Sequence, residues 1–273
     1  MLFRRWAAAV LTASALLVFG APAAPAAPGP GLLVVEYRPA QTQEDAAEQE
    51  FLQDNEVLES AAAHVNDLVG LPGNIPLVGV SCDEANAAWD PETQSIYFCY
   101  GYAGLFRSVF AEQNTDGSPA EQARATDDDV IGFSNSTVFH EFAHALIDVY
   151  DLPVTGREED AADQLSALLL SEDSLHQGYA VSAIEAWAAL AQATEQGDIS
   201  AQLADEHSLS SQRFYNTTCW LYGSDPELYR SVVLTEDNPG GFLPADRAAR
   251  CPAEYQQMLK AWGTLLAPYL KQQ

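Results

Sequence analysis

A chain of 273 residues with 48% apolar and 10% aromatic content has the make-up of a globular protein and can bury a sizeable core as one large domain or two small ones. Its 39 acidic residues outweigh 12 basic ones, for a formal net charge of −27, a surface that repels nucleic acid and anionic lipid. Such acidity serves solubility and would equally attract cationic substrates, and composition does not separate the two.

Taken from the start, Arg4 and Arg5 precede an apolar run over residues 7–19 and then small residues with Ala-x-Ala patterns around Ala21, Ala23 and Ala26. This pattern is that of a cleaved bacterial signal peptide, because the run is shorter than the ~20 residues that span a bilayer. Residues 1–27 are therefore assigned to the leader and the start of a Pro/Ala-rich linker, and residues 28–273 to a single domain. Export to the periplasm or the extracellular space is expected, with no membrane association after cleavage.

Leu32, Leu33, Val34 and Val35 open the domain as a strand. Over residues 44–69, Phe51, Leu52, Val57, Leu58, Ala61, Ala62, Val65 and Leu68 recur at helical spacing until Gly70 and Pro72, which predicts one long amphipathic helix. Residues 75–81, 87–90 and 96–99 read as short strands, with Asp90, Pro91, Glu92 and Thr93 turning between the last two. A helix follows over residues 102–113. The polar segment 114–129, with Gly117, Pro119 and Asp127 to Asp129, reads as a flexible loop without the alternating ligand spacing of a calcium site. From Ser136 onward nearly everything reads as helix. The expected fold is α+β: a small, largely antiparallel N-terminal sheet with a long helix, then a mostly helical half.

The cysteines Cys82, Cys99, Cys219 and Cys251 lack any Cys-x-x-Cys spacing, which in an exported chain argues for two disulfides over a thiolate metal site. Cys82 and Cys99 bracket the strand-turn-strand region, and Cys219 and Cys251 share the helical part. Local pairing within each set is expected, since short loops close at low entropic cost. Asn135 and Asn216 stand in glycosylation sequons, which behind a bacterial leader read as caps and surface polar residues.

The chemistry concentrates at His140, Glu141, Phe142, Ala143 and His144, a His-Glu-x-x-His pattern inside an apolar helical run over residues 138–150. Positions four apart on a helix are offset by about 40° and 6 Å, so both imidazoles leave one face and can share a metal ion. Glu141, a quarter turn away, is suited to hydrogen-bond a water on that metal. Pro153 and Gly156 break this helix, and a second begins near Glu158 with apolar Leu165, Leu168 and Leu169. Glu159 is the candidate third ligand, because Asp163 one turn on can then accept the other N–H of a ligating histidine; Glu158 and Asp160 would put Ala162 and Gln164 there instead. Two histidines and a carboxylate leave a position for water, the pattern of a catalytic zinc ion. Further donors for a tetrahedral oxyanion are sought in His207, Arg213 and Tyr215. Of these His207, two residues after Asp205, is the catalytic candidate, whereas Tyr215 and Trp220 are expected in the core.

The pattern His140-Glu141-x-x-His144 followed by Glu159-x-x-Ala162-Asp163 resembles the gluzincin metallopeptidases. The metzincin pattern fails, with Ile147 at its required glycine and Tyr150 at its third histidine. Beyond this region, the segment from Gly156 to Gln164 and the stretches Gln212 to Asn216 and Tyr222 to Pro226 resemble an uncharacterised bacterial family of metallopeptidase type. The resemblance implies a zinc site between two helices, over residues 137–150 and 158–171, in a hydrolase, and names no substrate; an exposed edge strand within residues 87–99 that could take an extended peptide by strand addition favours peptide or protein substrates. A metal-stabilised secreted binding protein without turnover, or a zinc hydrolase of a non-peptide amide or ester, are the competing readings.

Overall fold

The computed structural model describes residues 29–271, so the leader and the start of the linker lie outside the described residues. In chain order the elements are β1 (Leu33–Tyr37), α1 (Gln43–Asp54), α2 (Val57–Leu68), β2 (Ile75–Val80), β3 (Ala87–Asp90), β4 (Ser95–Cys99), α3 (Tyr100–Gln113), α4 (Pro119–Val149) and α5 (Glu158–Leu170). They continue as α6 (Ser174–Thr194), α7 (Ser200–Leu203), α8 (Ser210–Ser224), β5 (Val233–Leu234), β6 (Leu243–Pro244), α9 (Ala245–Ala248) and α10 (Cys251–Leu266). This is the expected α+β class, with a mixed N-terminal sheet followed by a mostly helical region. No helix among the described residues is long and apolar enough to cross a membrane.

The sheet corrects the expectation of a largely antiparallel arrangement. Its order is β1-β2-β4-β3, parallel between β1 and β2 and between β2 and β4, and antiparallel only between β3 and β4. The reason is connectivity. Helices α1 and α2 carry the chain back across the sheet before β2 begins, which makes β1 and β2 parallel. The β3–β4 hairpin then inserts its second strand beside β2 and leaves β3 on the edge.

The long N-terminal helix is two helices. At Asn55 the side-chain amide donates to the Phe51 carbonyl at 2.8 Å, and Glu56 adopts a left-handed φ of 51°. The chain turns there, so α1 packs on α3 while α2 packs on α4 and β1. Periodicity alone could not register this break, because the apolar residues stay in phase across it.

Residues 119–129 are also helical, not a loop. Ser118 and Glu121 form a capping box, with Pro119 in the first turn, and α4 starts there. Two of the three aspartates of the run are engaged by neighbours: Asp127 pairs with Arg107, and Asp129 accepts from Asn114 at 2.9 Å and Ser182 at 2.9 Å. From Gly132 to Ile147 every residue of α4 is buried, wrapped by α2, α3, α5, α6 and β3. Asn135, Ser136 and Thr137 lie inside the protein rather than on its surface. Gly132 permits the closest approach, since a Cβ there would stand 2.7 Å from the Ser182 hydroxyl of α6.

Both expected disulfides are present, Cys82 with Cys99 and Cys219 with Cys251. The first ties the approach to β3 to the end of β4, and the second ties α8 to α10. Trp220 is buried as expected, but Tyr215 is 41% exposed and not a core residue.

An aromatic cluster joins the helical half to the sheet side. The Phe133 ring lies 3.9 Å from Phe106 and 5.4 Å from Trp187, with Tyr102 and Phe110 around it. Phe133→Ala should therefore lower the unfolding free energy by about 3–5 kcal/mol, the usual cost of emptying a packed aromatic site. Urea unfolding with both disulfides intact measures it.

Candidate metal centre

Helix α4 presents His140 and His144 from one buried face, and the reverse turn after it, with Asp151 at a left-handed φ of 48°, brings the first turn of α5 against them. The acidic residues Glu158 and Glu159 stand at the positive end of that helix, where its dipole favours carboxylates. His140 Nε2 lies 3.2 Å from His144 Nε2 and 3.0 Å from Glu159 Oε2, and His144 Nε2 is 3.4 Å from Glu159 Oε1. These donors converge on one point.

The outer ring nitrogens are each held by a carboxylate. Asp163 Oδ1 is 2.9 Å from His140 Nδ1, and Glu158 Oε1 is 2.8 Å from His144 Nδ1. Each Nδ1–H donates outward, which turns each Nε2 toward the shared point. Arg213 completes the chain: its Nε donates to Asp163 Oδ2 at 2.8 Å, and its guanidinium lies 3.6 Å over the Trp187 ring. Arg213 thus serves Asp163 through Nε and Nη2. Tyr215, exposed on α8, is not among the residues that line the site.

His207 comes into the site from the loop ahead of α8. Its Nε2 is 3.0 Å from Glu159 Oε2 and its Nδ1 is 3.0 Å from Asp205 Oδ1, the partner expected for it. His140, Glu159 and His207 each offer one ligand atom, all within 4.8 Å of one another. The cluster that could hold a metal therefore draws on α4, α5 and this loop, and His144 adds a donor to it.

Donor chemistry and spacing both fit a metal ion. Two ligands on a tetrahedral zinc, each about 2.0–2.1 Å from it, lie about 3.3 Å apart, close to the separations among these nitrogens and the Glu159 oxygens. Imidazole and carboxylate suit zinc and also other divalent first-row ions.

Glu141 stands beside the cluster. Its Oε2 accepts the backbone N–H of Trp89 at 2.8 Å, and the Trp89 indole N–H donates to Asp148 at 3.2 Å, pinning β3 onto α4. The ladder alternates: Cys99 N–H donates to Asn86 C=O, so Ala87 and Trp89 turn their backbone groups away from β4, toward the site. A cleft of about 330 Å³ runs between this edge and the metal residues, lined by Ala88, Trp89, Pro91, Glu158 and Glu206. A separate apolar hollow of about 210 Å³ lies behind α4, against Phe142, Leu146 and Trp262, and takes no part in this chemistry.

Three of these contacts have no sequence signal. Arg213 and Asp163 are 50 positions apart, and Trp89 and Glu141 are 52 apart. Glu158 is distinguished from Asp160 only by how α5 docks.

Without metal the cluster stores protons. Burial opposes charge on His140, but the hydrogen bonds it donates to Asp163 and Glu159 outweigh it and raise its pKa. For His144, burial is likewise outweighed by Glu159 and Glu158, and its pKa rises to about 9. Burial would raise Glu159, yet hydrogen bonds to His140, His144 and His207 hold it far below the usual carboxylate range. Because the folded pKa of His144 exceeds its unfolded value, its contribution to stability in chelated protein is complete below about pH 6.5 and lost as pH rises through about 9. Melting temperatures of chelated protein across this interval should fall accordingly. Loading a divalent metal at pH 7 should release protons, read with an indicator dye.

No curated protein and no solved structure matches the chain significantly. Residues 37–266, from the end of β1 to the end of α10, match the family DUF4344, described as "Putative metallopeptidase", and the chain belongs to that family.

Proposed function

We propose that this protein is an exported zinc-dependent hydrolase of peptide bonds, with His140, His144 and Glu159 as metal ligands in a gluzincin-like, two-helix arrangement and Glu141 as general base. The observation that carries the reading is the convergence of two Nε2 atoms and one carboxylate at 3.0–3.4 Å, each histidine backed by its own carboxylate. The two disulfides support export, since such bonds persist in oxidising compartments.

When bound, zinc supplies a Lewis acid that lowers the pKa of water to about 7 and polarises the scissile carbonyl. The chain's own groups do the rest. The Trp89 N–H fixes one oxygen of Glu141 and leaves the other to take the proton of the attacking water and pass it to the leaving amine. Asp163 and Glu158 keep both ligating imidazoles in the tautomer with Nε2 free. His207, bonded to Asp205 at the rim, would donate to the developing oxyanion. The outward backbone groups of Ala87 and the Trp89 carbonyl give an extended peptide an edge to pair with, which favours peptide over small amide or ester substrates.

Glu141→Gln should keep zinc and fold while turnover on a peptide library falls by ~10²- to 10⁴-fold, the range for loss of a general base. Wild-type turnover in a zinc-loaded Glu141→Gln protein would refute the assigned mechanism, and tight zinc binding with no cleavage by wild type would favour a metal-stabilised binding protein. Among the metal residues, Glu159→Ala should abolish stoichiometric zinc. Asp163→Asn should weaken zinc affinity about 10- to 100-fold. Metal analysis after dialysis measures both, and zinc loss in Glu158→Ala but not in Glu159→Ala would reverse the ligand assignment.

A further inference from the structure

A second, smaller cavity opens off the metal cluster on the side of Glu141 away from His144. It has a volume of about 60 Å³ and is walled by Tyr102, Ser136, Thr137, Ser166, Trp187 and Thr217, with Arg213 and Asp163 along one side.

Its lining is polar to an unusual degree for a buried pocket. Ser136, Thr137, Ser166 and Thr217 are all buried. Some of this polarity is internally spent: the Thr137 hydroxyl donates to the Phe133 carbonyl at 3.0 Å, and that of Ser166 to the Ser136 carbonyl at 2.9 Å. Arg213, with a side chain only 11% exposed, engages Asp163 through Nε and one terminal nitrogen. A guanidinium carries five N–H donors, so others stay available to an acceptor in the cavity. Its charge is matched by Asp163, and Glu141 stands at the entrance, so an anionic side chain is disfavoured while a neutral acceptor is not.

Position relative to the edge strand says which residue enters. Antiparallel pairing is the more stable mode of strand addition, and a peptide laid antiparallel on β3 carries its C-terminal portion past Asn86 and Ala87. Those two residues line this cavity, whereas Trp89 and Pro91 line only the larger cleft. Glu141, which hands a proton to the leaving amine in the reading above, borders the cavity as well.

We propose that this cavity receives the side chain of the residue immediately after the cleaved bond and selects serine, threonine or asparagine there. The inference rests on the hydrolase reading and deepens it by naming the substrate class.

The test is a position-resolved peptide mixture digested with zinc-loaded protein, with products read by mass spectrometry. Serine, threonine or asparagine after the cut should exceed leucine, phenylalanine and arginine by at least ~10-fold in kcat/KM, because a polar site rejects groups that leave its donors unpaired. Thr217→Val and Ser136→Ala should each narrow the preference for serine over alanine at that position by about 2- to 10-fold, the worth of one neutral hydrogen bond. Cleavage with large apolar residues favoured after the bond overturns the inference and leaves the hydrolase reading standing. If nothing is cleaved, titration of the same peptides into Glu141→Gln protein, followed by the fluorescence of Trp187, decides the matter. Selective binding of serine-containing peptides that is weakened by Thr217→Val supports the pocket even as the hydrolase reading fails, and indiscriminate or absent binding overturns it.

Discussion

Two imidazoles meeting nitrogen to nitrogen at 3.2 Å in the buried stretch of α4 impose the constraint around which the helical half is arranged. Left alone, such a pair would bring two lone pairs together in a medium that cannot solvate them. The pair is tolerable only with protons or a cation at the centre and carboxylates around it, and the fold provides the carboxylates from α5. Asp163 and Glu158 take the outer nitrogens and Glu159 faces the inner ones. Each buried acid needs its own partner in turn, which is why Arg213 from α8 reaches Asp163 and lies flat on Trp187 of α6. Helices α5, α6 and α8 are thereby linked to α4 through polar contacts as well as through the apolar core.

The sheet serves this arrangement from the other side. With β3 on the edge and pinned to α4 through Trp89, the strand presents alternate backbone groups to the cleft and one of them holds the proposed base in position. The Cys82–Cys99 disulfide closes the hairpin at the end nearest the site. A rigid strand, a rigid helix and a short reverse turn into α5 place the proposed catalytic groups on regular elements; His207, on a loop, is the exception.

The acidity of the chain has a local counterpart here. Glu158, Glu159 and Asp163 are committed to histidine or arginine, so the acids of the cluster are largely neutralised within it, whereas Glu206 at the cleft rim is not so engaged. The surface excess of carboxylates and the buried cluster are therefore different phenomena: the first sets long-range potential and solubility, the second the protonation of the site.

What the sequence determined by itself are the features written in local spacing. A four-residue interval on a helix puts His140 and His144 on one face whatever the rest of the chain does, and the same interval puts Glu159 and Asp163 on one face of α5. Cysteine separation likewise predicted both disulfides, since short loops close most readily. Strands and helices with uninterrupted periodicity, such as β2, β3 and α3, were legible for the same reason. Tertiary structure decided the rest. The sheet became mostly parallel because a helix pair separates β1 from β2. The N-terminal helix broke at Glu56, and the aspartate run became helix because Ser118 and Glu121 cap it while Arg107, Asn114 and Ser182 receive its charges. The roles of Glu158, Arg213 and the Trp89 amide depend on how separate elements dock, and contacts made across some fifty positions leave no trace in any local period.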